Sequence, residues 1–302
     1  MKISWSILYR GPLTSCNYEC GYCPFAKTRN TRAELEADGH CLDRFTGWAG
    51  GRSEELGILF TPWGEALLHR YYQRALCELS DLQNVRRVAI QTNLACRLDW
   101  LADANGQRLA LWCTFHQTQV ALGKFLEQCR ILDRHGIRYS VGIVGTKDAL
   151  SFLEPLRAAL SPGIYVWVNA LKRQPNYYSS DELAFLSTFD PLFSVNNQRH
   201  PSFGRACRTG HTVFSVDGNG DMRRCHFVRE VIGNIYETGF ENALRPRSCP
   251  AETCGCHIGY VHLEELGLDA VFGEGLLERM PAVTGDVGRS AEFIPLHRST
   301  TM

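Results

Sequence analysis

LTSCNYECGYCPF, residues 13–25, is the stretch that decides the fold of this chain. It contains Cys16, Cys20 and Cys23 at the spacing C-x3-C-x2-C. Three thiolates on one short loop can hold three corners of a four-iron, four-sulfur cluster, and no fourth cysteine follows at a matching spacing. One iron would stay open to a substrate or cofactor. The spacing therefore indicates a reactive site rather than a purely structural one.

Two other uses of these cysteines stay open. A zinc knuckle needs a fourth Cys or His, and the nearest candidates, His40 and Cys41, lie beyond a polar stretch. A disulfide framework needs an oxidising compartment and is typical of small secreted chains. The chain has 13 cysteines and no export signal, which predicts reduced thiols in the cytoplasm. The iron–sulfur interpretation is therefore favoured.

The cysteine motif resembles the signature of the radical SAM superfamily, including the aromatic Tyr22 directly before the third cysteine. The resemblance implies that the open iron binds the amino and carboxylate groups of S-adenosylmethionine and that Tyr22 lines this cofactor. It also implies that one electron from the [4Fe-4S] cluster cleaves the sulfonium to methionine and a 5′-deoxyadenosyl radical. A one-electron donor such as flavodoxin or ferredoxin would supply that electron.

Length and composition restrict the class of protein. A chain of 302 residues with 44% hydrophobic content can form one large core with a small appendage. Its 32 basic and 32 acidic residues balance, so no net charge favours binding to nucleic acid. The sequence has no run of about 18 apolar residues, so no membrane span is expected.

Strand and helix patterns alternate from residue 3 to about residue 190. The predicted strands are 3–9, 56–60, 87–91, 109–115, 138–144 and 164–169. The predicted helices are 43–55, 65–80, 98–104, 120–135, 147–160 and 180–189. Such alternation is typical of parallel strands with right-handed crossovers. We therefore predict an α/β fold whose first domain, residues 1–195, is a partial (β/α)6 TIM-like barrel.

Candidate site residues follow the predicted strands at their carboxyl ends, where barrels place reactive groups. The turn PWGE, residues 62–65, resembles the GGEP motif of the family, which implies that Gly64 and Glu65 help to seat the amino group of the cofactor. A helix-capping role for Glu65 stays open. Thr92 and Asn93 end the third strand and would face the cofactor, or cap the next turn. Val144 lies in a segment that resembles the adenine-packing strand of the family.

His116 stands where the fourth strand becomes polar. A histidine at this position could transfer a proton or bind substrate, so it is the candidate catalytic residue, and a hydrogen-bonded structural role stays open. Five other cysteines share no metal-ligand spacing and are predicted to be structural. They are Cys41, Cys77, Cys96, Cys113 and Cys129.

A second cysteine set follows residue 191, where the alternation stops. Its members are Cys207, Cys225, Cys249, Cys254 and Cys256. A cysteine before a hairpin, an Asp-Gly turn over 217–220 and a cysteine at the end of the hairpin resemble the SPASM and twitch extensions of radical SAM proteins. The resemblance favours one auxiliary [4Fe-4S] cluster held by Cys207, Cys225, Cys254 and Cys256, with Cys249 as substitute. A four-cysteine zinc ribbon stays open.

The predicted organisation is a barrel over 1–195, a small cysteine-rich α+β domain with a β-hairpin over 196–262 and a tail over 263–302. The implied function is hydrogen abstraction by a 5′-deoxyadenosyl radical from an unidentified peptide, protein or small molecule. The chain begins at its first strand, so we expect no leader-peptide-binding domain before it, although a partner protein could present the substrate. The alternative is a non-catalytic zinc or iron–sulfur scaffold or electron carrier.

Overall fold

A computed structural model of the protein describes residues 4–26, 28–172 and 174–282. Six parallel strands form the first part of the sheet: β1 (Trp5–Arg10), β2 (Leu56–Phe60), β3 (Val85–Thr92), β4 (Leu109–Phe115), β5 (Arg138–Val144) and β6 (Val166–Asn169). The helices between and after them are α1 (Arg32–Gly50), α2 (Arg70–Asp81), α3 (Leu122–Arg134), α4 (Leu150–Ala159), α5 (Ser180–Phe189) and α6 (Phe193–Asn196). The predicted fold class, a partial α/β barrel followed by a smaller C-terminal part, is confirmed.

Several predicted helices have other bounds in the structure. Helix α1 starts at Arg32, well before the predicted residue 43, because Thr31 and Glu34 form a capping box in which each side chain accepts from the backbone of the other. The predicted helix over 65–80 divides into a short 3-10 helix, Ala66–Leu68, and α2. The predicted helix over 98–104 is a 3-10 helix, Asp99–Asp103.

The sheet continues across the predicted boundary at residue 195. Strand β9 (Val213–Asp217) pairs in parallel with β1, while β10 (Asp221–Arg223) and β11 (Val231–Asn234) extend the sheet antiparallel. The strand order is β11-β10-β9-β1-β2-β3-β4-β5-β6. The hairpin forms at the predicted position, with Gly220 at a φ of +88° in its turn. It is therefore part of the barrel sheet itself.

Shorter elements complete the C-terminal part. They are β7 (His200–Pro201), β8 (Ala206–Cys207), β12 (Arg247–Ser248), β13 (Thr253–Cys254), α7 (His257–Tyr260) and α8 (Leu268–Phe272). Strand β12 pairs antiparallel with β8, and β13 pairs antiparallel with β7. The first of these sheets brings the segment of Cys249 beside Cys207, and the second fixes Cys254 against His200.

The two faces of the barrel sheet pack against different layers, because successive strand residues point to opposite sides. Ile7 and Tyr9 of β1 belong to the core beneath the outer helices. Leu8, between them, belongs to a second core on the inner face of the sheet. Apolar residues of the C-terminal segment, among them Ile258 and Phe272, fill that inner core. The interior of the barrel is therefore packed by residues 257–280.

Ion pairs to the buried Glu278 fix the far end of this segment. The Glu278 carboxylate lies 2.9 Å from the Arg138 guanidinium and 3.5 Å from that of Arg87. Ser140 Oγ donates to the Glu278 carbonyl at 2.7 Å. Arg138 begins β5 and Arg87 lies in the first half of β3, so the segment reaches the amino ends of the strands. The described part of the predicted tail, 263–282, thus lies in the barrel, and the rest of the tail is outside the described residues.

No helix among the described residues has the length and apolar character that crossing a membrane requires.

Candidate functional site

The three N-terminal cysteines lie on the loop between β1 and α1, at the carboxyl end of the first strand. Asn30 closes this loop: its Oδ1 accepts from Thr14 N at 2.8 Å, from Ser15 N at 2.9 Å and from Ser15 Oγ at 2.9 Å. Cys20 is 4% exposed, and Cys16 and Cys23 are half-buried. One short closed loop therefore presents all three thiols, as the sequence predicts.

The thiols of this loop affect one another electrostatically. Burial raises the pKa of Cys20, and the charges of Cys23 and Cys16 raise it further. Burial and the charges of Glu65 and Cys23 raise the pKa of Cys16. Binding of cationic iron would remove this repulsion, since metal ligation deprotonates thiols. The number, type and shared loop of these donors fit a cluster with three thiolate ligands.

Across the described ranges, no group of three or more His, Cys, Asp or Glu side chains is placed so that it could hold a metal ion. The fit of the cysteine loop to a cluster therefore depends on its donor set and closure.

Gly64 lets the turn after β2 touch the cysteine loop. A Cβ at this position would lie 1.7 Å from the Ser15 carbonyl oxygen, which is far inside van der Waals contact. Glu65 N donates to the same carbonyl at 3.0 Å. Only glycine permits this approach, so the turn supports the residue directly before Cys16.

Glu65 is buried, at 2% exposure, and its carboxylate is surrounded by donors from the chain. Oε1 accepts from Thr92 Oγ1 at 2.7 Å and from Leu67 N at 3.2 Å, while Oε2 accepts from Asn93 N at 2.5 Å. Burial raises the pKa of Glu65 to about 7 despite these bonds. Glu65 therefore caps the 3-10 helix after it and ties β2 to the end of β3. Its role toward the amino group of a cofactor stays a prediction.

Asn93 connects the end of β3 to the cysteine loop. Its Nδ2 donates to Asn17 Oδ1 at 2.9 Å and lies 3.8 Å from Cys16 Sγ. Together with Gly64, Glu65 and Thr92 it forms one brace beneath the first cysteine. Four residues predicted to line the cofactor are thus brought together, and their contacts hold the loop.

His116 lies against the same loop from β4. Its Nδ1 is 2.9 Å from the Tyr22 hydroxyl and 3.4 Å from Cys20 Sγ, and its ring stacks on Tyr22 with an interplanar angle of 12°. Burial lowers the pKa of His116 to about 4, so the ring is neutral at pH 7. Gln119 extends this second brace by accepting from Glu19 N at 3.0 Å. The predicted role of His116 toward a substrate stays a prediction.

Val144 ends β5 at the same edge of the sheet and is 9% exposed. Beyond it, Thr146 Oγ1 accepts from Gln117 Nε2 at 2.9 Å, which links the loops after β4 and β5. The predicted contact of Val144 with adenine stays a prediction.

The C-terminal cysteines lie near one another although they come from separate segments. Burial raises the pKa of Cys225, and the charges of Cys207 and Cys249 raise it further. Burial raises the pKa of Cys254 to about 12, with contributions from Cys225, Cys256 and Cys249. These thiols therefore affect one another electrostatically, and which of them would ligate a cluster stays a prediction.

His226 joins this second cysteine group to the barrel. Its Nε2 lies 2.8 Å from Thr61 Oγ1 at the end of β2, and it follows Cys225 directly. A cavity of about 360 Å³ opens beside it, at the carboxyl ends of β1 and β9. Arg10 and Trp63 line this cavity, with the Arg10 guanidinium carbon 3.9 Å from the centre of the Trp63 ring. His226 thus links the segment of Cys225 to the end of β2 beside this cavity.

Sequence reasoning missed several residues of the candidate site. Asn30, Arg10 and His226 act through contacts with residues 15, 51 and 165 positions away, and no local motif marks them. The capping box at Thr31 was the available signal that the cysteine loop ends at Asn30.

A parallel βα sheet, with three cysteines on the loop after its first strand and a cysteine-rich C-terminal part, defines the class of fold. It is similar to a structure of native anSMEcpe, an anaerobic sulfatase-maturating enzyme, with bound AdoMet: 14% identity over 79% of this chain and 82% of that one, TM-score 0.51. A structure of the same enzyme with AdoMet and Kp18Cys peptide gives 13% identity over 78% and 82%, TM-score 0.52. Neither a family model nor a curated protein matches this sequence. The shared feature is therefore the fold.

Proposed function

We propose that the protein is a radical SAM enzyme that cleaves S-adenosylmethionine reductively and abstracts a hydrogen atom from a substrate. One observation carries this proposal: a closed loop at the carboxyl end of β1 presents Cys16, Cys20 and Cys23 at C-x3-C-x2-C spacing and no fourth cysteine. The likeness in fold to anSMEcpe, whose structures hold AdoMet, supports it.

The residues of the loop would hold a [4Fe-4S] cluster by three corners. When bound, the cluster and S-adenosylmethionine would supply an electron and a primary carbon radical. Asn30 and Gly64 keep the loop closed against the turn after β2. Tyr22 and the neutral His116 pack behind Cys20 and shield its side from water. These residues position the metal ligands.

The packed interior confines chemistry to the mouth of the barrel. Ile258, Phe272 and their neighbours fill the inner face of the sheet, so a substrate reaches only the carboxyl ends of the strands. Exclusion of water from that region would protect a reactive radical and hold one substrate C–H bond near it.

A second [4Fe-4S] cluster at the C-terminal cysteines belongs to this proposal. It would tune electron flow near the mouth, and a flavodoxin or ferredoxin type of protein would deliver electrons one at a time. The substrate is a peptide, a protein or a small molecule that undergoes maturation. The Kp18Cys peptide bound to anSMEcpe illustrates the first class on a related fold.

Anaerobic reconstitution tests the proposal. Purified protein is loaded with iron and sulfide, reduced with dithionite and mixed with S-adenosylmethionine, and 5′-deoxyadenosine is measured by mass spectrometry. We expect its formation in the wild type and its loss in Cys20→Ala. Cys77→Ala is the matched control, because this half-buried thiol lies on α2 and contacts the Trp100 carbonyl at 3.6 Å.

Metal analysis separates this function from a non-catalytic scaffold. Zinc without iron at both cysteine groups would contradict the proposal and favour a zinc scaffold. Iron at both groups without any 5′-deoxyadenosine would favour an electron carrier.

A further inference from the structure

The cavity of about 360 Å³ at the carboxyl ends of β1 and β9 has charged walls. Two arginines and one aspartate line it, so their charges leave one positive charge in excess. Arg10 ends β1, Asp217 ends β9 and Arg223 ends β10. Three neighbouring strands of one sheet therefore supply these side chains.

Asp217 lies beside Arg10 on the neighbouring strand but does not pair with it. The two residues are in register where β1 pairs with β9. The Asp217 carboxylate instead accepts from Arg223 Nη1 at 2.7 Å and from the backbone amides of residues 219 and 221 at 3.0 and 3.1 Å. Three donors satisfy this carboxylate, and the charge of Arg223 neutralises it. Arg10 is thus left without a carboxylate partner in the part of the chain that the structure describes.

The Arg10 guanidinium is held in place on two sides. Its Nε donates to the Thr61 carbonyl at 2.6 Å, and its carbon lies 3.9 Å from the centre of the Trp63 ring. Burial lowers the pKa of Arg10 to about 10, so the group is still a cation at pH 7. Its two terminal nitrogens have no hydrogen-bond partner within the described ranges. These paired donors match the two oxygens of a carboxylate.

Close contacts give the cavity fixed walls. A Cβ at Gly218, in the hairpin turn after β9, would lie 2.8 Å from Pro12 Cδ and 3.2 Å from Cys41 Sγ. The turn therefore rests on the loop after β1 and on helix α1. A site whose walls are already in contact needs little ordering when a ligand binds, which favours affinity.

Stacked side chains link the cavity to the N-terminal cysteine loop. The Trp63 ring, against which Arg10 packs, has its centre 4.4 Å from that of Phe25, a residue of the loop. Trp63 also precedes Gly64, which touches the Ser15 carbonyl. A group bound by Arg10 would therefore lie one aromatic side chain away from the cysteine loop.

We propose that this cavity binds a carboxylate group of the substrate and that Arg10 is the residue that binds it. This inference rests on the proposed function, because that function makes the ligand a substrate. A carboxylate carries the single negative charge that the cavity lacks, and it fits the free edge of a fixed guanidinium. The terminal carboxylate of a peptide, a side-chain carboxylate and a small organic acid share this chemistry.

Binding of small carboxylates to the reconstituted protein, without S-adenosylmethionine, tests the site. The probes are N-acetylglycine with a terminal carboxylate, N-acetylglutamic acid α-amide with a side-chain carboxylate, and propionate as a small organic acid. Dissociation constants are measured by ligand-observed NMR at constant ionic strength. We expect the best carboxylate to bind about ten-fold more tightly than the neutral control N-acetylglycinamide, and its identity indicates the source of the group.

Two results of this comparison would contradict the proposal. One is that no carboxylate binds more tightly than N-acetylglycinamide. The other is that inorganic phosphate binds more tightly than every carboxylate, since the cavity would then select a different anion.

Arginine variants locate the binding site. Arg10→Met should weaken binding of the best carboxylate about ten-fold. Arg44→Met is the matched control, because the Arg44 guanidinium also packs on an aromatic ring, 3.6 Å from the centre of Tyr236, and does not line the cavity. This control should leave the affinity unchanged. An affinity that Arg10→Met leaves unchanged, or an equal loss in Arg44→Met, would overturn the proposal.

Asp217→Asn gives a result that loss of folding cannot imitate. The change removes the negative charge beside Arg10 and keeps an oxygen for the backbone amides of the turn. We expect the affinity for the best carboxylate to rise about three-fold. An unchanged or weaker affinity would overturn the proposal.

These outcomes are distinct from failure of the proposed function, because binding is measured without turnover. If 5′-deoxyadenosine forms and no carboxylate binds through Arg10, only the carboxylate site is wrong. If carboxylates bind through Arg10 and no 5′-deoxyadenosine forms in the wild type, the proposed function fails and the carboxylate site stands.

Discussion

The two cysteine groups are built in opposite ways. The N-terminal group places three thiols within eight residues of one loop, which Asn30 closes and the ends of β2, β3 and β4 brace. The C-terminal group collects its thiols from separate short strands and turns, which Arg224 and two small sheets hold. A site on one loop depends on close backbone approach, whereas a site from many segments depends on long-range hydrogen bonds.

Gly64→Ala should have the largest effect, and it should act on the N-terminal cysteine group alone. The new methyl group would overlap the Ser15 carbonyl, so the cysteine loop must move. We expect loss of the N-terminal cluster with the C-terminal iron retained, measured by iron content and by formation of 5′-deoxyadenosine. Gly21→Ala is the matched control, because a Cβ there has nothing within 4 Å. Equal iron loss at both groups in Gly64→Ala would mean that the two groups are not independent.

Arg224→Met should act in the opposite way, on the C-terminal cysteine group. The change leaves the Arg247 and Ser248 carbonyls and Thr209 without their charged donor. We expect a loss of roughly 3–6 kcal/mol in the free energy of unfolding and loss of the C-terminal iron. Differential scanning calorimetry and iron analysis measure both effects. Arg229→Met, an exposed arginine four residues after Cys225, should change neither; a similar loss in that control would remove the special role of Arg224.

Glu65→Gln should have a smaller effect that depends on pH. Burial raises the pKa of Glu65 from its ordinary value of 4.5 to about 7 in the folded state. Between these values the folded protein keeps a proton that the unfolded chain releases, so wild-type stability falls as pH rises from 4.5 to 7. The shift corresponds to a change of about 3 kcal/mol in the free energy of unfolding over this pH range. The glutamine variant lacks this change because its side chain does not titrate.

The measurement is the difference in thermal unfolding temperature between wild type and Glu65→Gln at pH 5 and at pH 8. We expect the variant to be less stable at pH 5, where it loses an acceptor for Thr92 or Asn93, and to recover relative to wild type at pH 8. Parallel pH dependence in the two proteins would show that Glu65 is not protonated in the folded state. In that case the residues that brace Cys16 would stabilise it through hydrogen bonds alone, without a contribution from protonation of Glu65.

The barrel strands could be predicted from sequence because they are short apolar runs between turns. β2, β4 and β5 occupy the predicted residues, and nearly all their side chains are buried. The pairing of β9 with β1 could not be predicted, because a hairpin signal is local and its parallel partner lies about 200 residues earlier. The packing of 257–280 inside the barrel could not be predicted for the same reason. Its short apolar turns are a local signal and do not indicate which distant surface they cover.

The candidate site follows the same division. Cys16, Cys20 and Cys23 could be singled out because their spacing is itself the signal. Spacing did not select among the C-terminal cysteines, which the structure shows to differ in burial: Cys207, Cys225 and Cys249 are buried and Cys256 is exposed. His116 lies against the cysteine loop, and the sequence gave no sign of its contacts with Tyr22 and Cys20.

The filling of the barrel by residues 257–280 has a consequence for biosynthesis. The ribosome makes the inner face of β1, β2 and β4 long before it makes residues 257–280, which cover that face. Until then Leu8, Leu59 and Trp112 have no partner from the end of the chain, and a nascent protein of this length is exposed to aggregation. Strand β1 likewise lacks one of its two neighbouring strands until β9 has been synthesised. The interior of the barrel is therefore covered only after residues 257–280 have been synthesised, and a chaperone that shields the open barrel would raise the yield of folded protein.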